Sequence, residues 1–221
     1  TTICWMLQVP GGAGAREMLS VRASYGSYRI ALSDRPFMRF VTLASLGFSV
    51  VSWVTAANVL YMRDALGYSS QWILVITATG SLLVLLTIGS WGRFADHSGS
   101  GLAMALTLLG HTLAAGSLLL LWPGAPWTPW LVPVVVPTAA VFCAAFLMAA
   151  HRAMLNYVQE TGRVGYTNLW IAGTSLALGL TPIMAGLLID HLALRGFETC
   201  FALAAVGGLV CALFSYLTVR D

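Results

Sequence analysis

Six apolar stretches, each long enough to cross a lipid bilayer as a helix, dominate this sequence. A membrane-spanning helix needs about 20 consecutive apolar residues. None of the chain's 11 basic and 8 acidic residues falls within the six stretches, and a charge at a helix centre costs several kcal/mol in lipid. The sequence therefore predicts an all-α membrane protein with six transmembrane helices. The predicted spans are Phe40–Met62, Gln71–Trp91, Leu102–Trp122, Pro129–Ala150, Tyr166–Ile189 and Thr199–Thr218.

The overall composition agrees with a protein whose solvent is lipid. Hydrophobic residues make up 58% of the chain and charged residues 9%, with a mean hydropathy of +0.83. Soluble domains carry about a quarter charged residues. A chain with so little charge lacks the polar surface that would keep a folded globule of this length in water.

The first 39 residues differ from the rest, because they are basic and rich in glycine near Pro10. We expect residues 1–39 to form a basic cytoplasmic linker that ends in a short interfacial helix around Tyr28–Arg35. Residues 40–221 then form the six-helix transmembrane domain. Five of the 11 basic residues lie in this linker: Arg16, Arg22, Arg29, Arg35 and Arg39.

The distribution of arginine predicts the orientation of the chain in the membrane. With the N-terminus inside, nine arginines lie on the cytoplasmic side, and only Arg63 and Arg195 lie on the other. Cytoplasmic loops of membrane proteins carry such an excess of positive charge. We therefore expect both termini in the cytoplasm and the protein in a bacterial cytoplasmic (inner) membrane.

The residue types present and their spacing argue against several classes of function. The four cysteines have no C-x-x-C spacing, so no metal site, disulfide framework or cofactor is expected. The arginines are scattered among the loops, which argues against nucleic-acid binding. No His-Glu-x-x-His, no membrane-embedded aspartate pair and no Gly-x-Ser-x-Gly with a buried histidine occurs, and we do not expect an enzyme.

Small residues recur at helical spacing along several spans, which lets helix backbones approach closely in lipid. The sixth span carries one such stripe, and the fifth carries another that includes an asparagine. The alternative interpretation is that a stripe lines an aqueous path, and the fifth span is a good candidate for it. The two stripes are Cys200, Ala204, Gly208, Cys211 and Ser215, and Asn168, Ala172, Ser175, Gly179, Pro182 and Gly186.

The segment G-R-F-A-D-H-S-G, from Gly92 to Gly99, is the most informative short motif. Its glycines allow a tight reversal between two antiparallel helices. Asp96 can accept backbone N–H bonds at a helix start, where the helix dipole favours a carboxylate. On these grounds alone, Asp96 is a candidate helix cap.

This segment resembles the signature loop G-x-L-x-D-R-x-G-R-R of the major facilitator superfamily. In that family the loop lies between the second and third helices of each six-helix half. Phe94 and His97 stand where the family has leucine and arginine, a weakening typical of the second half. The resemblance implies the C-terminal half of a twelve-helix transporter, with a gating loop formed by Gly92, Arg93, Asp96 and Gly99.

A second motif, Q-E-T-G-R from Gln159 to Arg163, resembles the P-E-x-x-R that follows the fourth or tenth helix in many of these transporters. Only Glu160 and Arg163 carry over, since Gln159 replaces the proline. With Arg152 and Asp96 they could form a cytoplasmic charge network whose pairing changes between transport states. The alternative is that these are solvated loop charges.

Polar residues within the predicted spans are candidates for a substrate path. The family arrangement places the first, second, fourth and fifth helices of a half along that path. His111 could titrate near neutral pH, but we expect it to be neutral and bonded to adjacent backbone. The candidate path residues are Trp53, Asn58, Asn168 and Thr174.

The resemblance implies a secondary transporter, a permease or efflux protein, that moves a small solute by alternating access. One six-helix half cannot enclose a central site. Its expected partners are therefore the lipid bilayer, the solute, and an N-terminal half or a second copy. The alternative is a six-helix channel or a non-transporting membrane scaffold.

Overall fold

The computed structural model describes residues 21–219, with side chains described from Gly26 onward. The chain is all-α over this range, without strands. Residues 1–20 of the predicted linker, including Arg16, lie outside the described residues, as does Arg220. The helices are α1 (Val21–Ser33), α2 (Arg35–Leu60), α3 (Ser70–Ser98), α4 (Ser100–Leu118), α5 (Thr128–Tyr157), α6 (Arg163–Leu192) and α7 (Leu194–Thr218), and a π-helical turn, Tyr61–Ala65, extends α2.

Helices α2 to α7 are each long and apolar enough to cross a membrane, so six candidate spans occur within residues 21–219. The prediction of an all-α protein with six spans is confirmed. The predicted interfacial helix corresponds to α1. Most helices continue past the apolar segment that predicts them, whereas α4 stops at Leu118 rather than Trp122 because Pro123 and Gly124 follow.

Local sequence sets the helix boundaries. The Asp34 side chain caps α2 by accepting from the Phe37 backbone N–H (3.2 Å), and Pro36 fits the first turn. Helices α3 and α4 are separated by Gly99 alone, with φ at 87°, and Gly162 with φ at 84° precedes α6. Both conformations favour glycine because a side chain is disfavoured there.

The six spans pack in a regular set of pairs. The most extensive contacts join α4 to α7, α4 to α5, α2 to α6, α3 to α5, and α2 to α7. Each of the first three spans has a counterpart among the last three: α5 for α2, α6 for α3 and α7 for α4. If every helix is replaced by its counterpart, the same five pairs result. We call the two sets of three helices the repeats of this contact pattern. Because each set holds three antiparallel helices, the two repeats run in opposite senses.

Aromatic side chains and small residues form the main helix contacts. Phe40 stacks on Trp170 with 5.4 Å between ring centroids, and this joins α2 to α6. Gly208 of α7 faces Thr112 of α4 so closely that a methyl group there would overlap the threonine hydroxyl. The stripe on the sixth span thus serves close packing, as predicted. The stripe on the fifth span differs, because Ala172, Ser175, Gly179 and Pro182 are all exposed.

The buried share of the apolar window differs among the spans. It is largest in α2 (56%) and α4 (61%), intermediate in α5 (33%) and α7 (39%), and smallest in α3 (11%) and α6 (22%). Helices α3 and α6 are counterparts in the repeat. The most exposed span of each repeat is therefore the same one, its second helix of the three.

Helix α1 lies against α6 at a contact that only glycine permits. A Cβ at Gly165 would overlap the Ser27 carbonyl and lie 2.9 Å from the Tyr28 nitrogen. We expect Gly165→Ala to displace α1 and to speed tryptic cleavage after Arg29 at least about fivefold, because overpacking costs about 1–3 kcal/mol.

The matched control is Gly179→Ala on the same helix, where an added Cβ meets nothing within 4 Å. It should leave the cleavage rate after Arg29 unchanged. Equal rates for the two variants would contradict the contact between α1 and α6.

Candidate functional site

The segment Gly92–Ser98 is helical, which corrects the expectation of a gating loop. Helix α3 continues to Ser98, and only Gly99 stands outside both helices. Charged residues end the apolar pattern here, and this pattern predicts a loop. A helix can nevertheless continue beyond the hydrocarbon core of the bilayer. Asp96 lies in the last turn of α3, and α4 begins at Gly99 without a side-chain cap. The interpretation of Asp96 as the cap of a helix start is therefore wrong.

Asp96 instead forms an ion pair with Arg152 near the end of α5. The side chains are about half-exposed, with 53% of the surface of Asp96 and 38% of that of Arg152 accessible. A carboxylate near a helix C-terminus is disfavoured by the helix dipole, and Arg152 offsets this cost. The pair joins α3 to α5 at the end of the bundle where α1 lies, which we call the α1 end.

The larger charge network is not formed among the described side chains. Glu160 and Arg163 are exposed, and neither forms an ion pair with Arg152 within residues 26–219. Arg93 is also exposed, and its Nη2 donates to the Ser90 hydroxyl at 3.4 Å. The network therefore reduces to the pair of Asp96 and Arg152.

A second polar junction at the α1 end centres on Asp34. Besides capping α2, its carboxylate accepts from the Tyr166 hydroxyl (2.8 Å) and from the Gln159 side-chain amide (3.2 Å). These bonds join the start of α2 to α6 and to the segment after α5. Sequence analysis missed this junction, because its three side chains lie far apart in the chain.

Two of the four predicted path residues already use their side chains in hydrogen bonds within the protein. The Asn168 side-chain amide donates to the Tyr28 hydroxyl (2.7 Å), which fixes it at the α1 end beside α1. The buried Thr174 hydroxyl donates to the Trp170 carbonyl of its own helix (2.8 Å). Trp53 is half-buried against a core cluster that includes Val54 and Phe201.

Asn58, the fourth predicted path residue, lines a cavity of about 300 Å³ between α2, α3, α4 and α5, which is open to the surface at the exposed residues Thr55 and Ser81. His111 of α4 lines the same cavity. Its Nδ1 lies 3.2 Å from the Ala139 carbonyl oxygen, and since a carbonyl only accepts, Nδ1 carries the proton and donates. The expectation of a histidine bonded to adjacent backbone is confirmed.

One polar atom of each of these residues, His111 Nε2 and Asn58 Oδ1, is buried with almost no accessible surface and has no hydrogen-bond partner among the described residues. Only 1% of His111 and 8% of Asn58 is exposed. Three hydroxyl groups from α2 and α3 complete the polar part of the wall. They belong to Thr55, Thr77 and Ser81.

We expect Tyr166→Phe to lower the free energy of unfolding by about 1.5–3 kcal/mol, the range for a hydrogen bond to a charged group. The Tyr166 hydroxyl donates to the Asp34 carboxylate, and the tyrosine is fully buried. Unfolding of the chain in lipid–detergent micelles measures the change.

The control for this prediction is Tyr216→Phe on α7, where the side chain is 63% exposed. It should change the free energy of unfolding by less than about 0.5 kcal/mol. If the two variants are equally stable, the junction at Asp34 contributes nothing to the fold.

Comparison with known proteins assigns neither a family nor a function to this chain. The sequence matches no protein-family model, and no curated protein or solved structure matches the chain.

Proposed function

We propose that this chain is one six-helix half of a secondary transporter of the major facilitator type, which moves a small solute by alternating access. It acts by changing conformation and carries out no chemical reaction. Its second half is an N-terminal six-helix unit or another copy of the chain. In this proposal it lies in a bacterial inner membrane with both termini in the cytoplasm, an orientation that rests on the arginine distribution.

The pairing of the spans is the observation that carries the proposal. Two three-helix repeats of opposite sense within a six-helix unit are the building plan of each half of such a transporter. The pairs α2–α6 and α3–α5 are exchanged by the repeat.

The polar contacts distinguish the two ends of the repeat. The pair of Asp96 and Arg152 joins α3 to α5, and Asp34 with Tyr166 joins α2 to α6, both at the α1 end. The repeat alone would make the two ends equivalent. Fastening both exchanged helix pairs at one end favours the access state that keeps these contacts.

The exposed surface of α6 supports a partner across a polar path. Ser175 and Gly179 lie on its exposed side, and small or weakly polar residues suit a close helix contact or a water-filled path better than lipid alone. Helix α3 exposes most of its surface as well. These two helices are the natural contacts of the second half.

Cysteine accessibility tests this proposal without knowledge of the solute. In native membrane vesicles that hold the complete protein, we expect Ser175→Cys to react with a membrane-impermeant thiol reagent from both sides of the membrane. Mass spectrometry of the labelled peptide separates this site from the native cysteines. Val206→Cys, equally central in α7 and 64% exposed, should react from neither side because it faces lipid.

The ion pair provides the second arm of this test. Asp96→Asn should change the ratio of labelling from the two sides about tenfold, since coupling free energies of this kind are about 1–3 kcal/mol. Asp64→Asn breaks an exposed pair with the adjacent Arg63 and should leave the ratio unchanged. Labelling of Ser175→Cys from one side only, in all variants, would contradict alternating access.

A further inference from the structure

We infer that the chain binds the headgroups of anionic phospholipids on a surface formed by Arg29 and Leu32 of α1 with Arg35 and Arg39 of α2. We call these four residues the headgroup surface. The inference requires only that the chain spans a membrane. It therefore holds or fails independently of the proposed transport function.

The α1 end of the bundle carries an excess of positive charge. Among the described residues, six arginines lie at this end against three acidic residues, whereas the opposite end has two arginines and three acidic residues. Two of the acidic residues at the α1 end, Asp34 and Asp96, already bind partners within the protein. The six arginines are Arg29, Arg35, Arg39, Arg93, Arg152 and Arg163.

The arginines of the headgroup surface are exposed and unpaired. Within residues 26–219, no carboxylate forms an ion pair with Arg29, Arg35 or Arg39, and all three side chains are exposed. Arg63 and Arg152, in contrast, are each paired with an aspartate. The counter-charge for the three free guanidinium groups therefore comes from outside the described part of the chain.

Helix α2 places two of these arginines at the depth of lipid headgroups. With its π-helical turn it spans 31 residues, Arg35–Ala65, or about 46 Å, against about 30 Å for the hydrocarbon core. Arg39 directly precedes the apolar stretch Phe40–Met62, and Arg35 lies one turn farther out on the same face of the helix. The two guanidinium groups therefore lie where the bilayer carries its phosphates.

Helix α1 is held at the same boundary by its contacts with α6. Ala31 of α1 is fully buried, and the Tyr28 hydroxyl accepts from the Asn168 side-chain amide (2.7 Å). Asn168 lies near the start of the apolar stretch Tyr166–Ile189. The exposed face of α1 is thus presented to the interface between headgroups and acyl chains.

This exposed face combines a positive charge with apolar surface. Leu32 is 55% exposed and Ile30 is 40% exposed, and Arg29 lies three residues before Leu32, on the same side of the helix. Leucine and arginine together are typical of helices that lie at a membrane surface. The apolar side chain enters the boundary with the acyl chains, and the basic side chain reaches the phosphate level.

The charge balance selects the class of lipid. A guanidinium group forms two parallel hydrogen bonds with a phosphate, which every phospholipid offers. A zwitterionic lipid also carries an ammonium group, which the excess of arginine repels. A lipid with net negative charge, such as phosphatidylglycerol, is therefore preferred over phosphatidylcholine.

Photo-crosslinking to lipid tests the inference on the complete chain. Nanodiscs contain equal amounts of phosphatidylglycerol and phosphatidylcholine with the same acyl chains, and mass spectrometry counts the adducts of each lipid. A photoreactive residue replaces Leu32, or Leu194 at the opposite end as the matched control, which is 46% exposed. We expect the ratio of phosphatidylglycerol to phosphatidylcholine adducts to be at least about fivefold higher at Leu32, the factor for one arginine near an anionic surface.

Variants identify the groups that bind the lipid. Arg29→Gln should lower the ratio at position 32 about fivefold, and since this side chain is exposed and unpaired, the fold should be kept. Arg195→Gln is the matched control, because it also removes one exposed arginine, at the opposite end beside Leu194. It should leave the ratio at position 32 unchanged.

Three results would overturn the inference. Equal lipid ratios at positions 32 and 194 would mean that the headgroup surface has no preference for anionic lipid. An unchanged ratio in Arg29→Gln would mean that this arginine binds no headgroup. Adducts to protein in place of lipid at position 32 would mean that a polypeptide covers this face of α1.

Discussion

The structure depends on one constraint, that polar groups within hydrocarbon must find their partners inside the protein. Helices satisfy the backbone, and many hydroxyl side chains along the spans return their protons to carbonyls of their own helix. Thr42, Thr107 and Thr138 each donate to the carbonyl four residues earlier, at 2.7–2.9 Å. Against this background, the polar contacts between helices stand out, such as those of Asp96 with Arg152 and of Asp34 with Tyr166.

The spans and their class could be predicted from the sequence, because apolar length reports directly on the bilayer. The conformation of Gly92–Gly99 could not be predicted correctly from pattern alone. Charged residues mark the end of the hydrocarbon, and helix α3 continues through them to place Asp96 beside Arg152. Similarly, Asn168 is polar and lies in a span, yet its partner Tyr28 is on α1, whose position against α6 no local pattern specifies.

The cavity was only partly predictable, for the same physical reason. Asn58 was a candidate because its amide can hydrogen-bond a solute and the family resemblance implies that its helix lies along the path. Its pairing with His111 depends on how α4 packs against α2 and α5, and the hydroxyls of Thr77 and Ser81 enter the wall only because Gly80 lets α3 approach α5. The wall belongs to four helices from both repeats, so its polarity is a property of the packing.

In the proposed transporter, this six-helix unit packs against a second one through α3 and α6. Site-specific photo-crosslinking in native membranes tests it most directly, with a photoreactive residue in place of Leu85 on α3 or Leu178 on α6, and in place of Leu213 on α7 as the control. All three leucines are exposed in the single unit, at 72%, 44% and 58%. We expect protein crosslinks to a second six-helix unit from Leu85 and Leu178, and lipid adducts from Leu213. Lipid adducts at all three positions would contradict this packing.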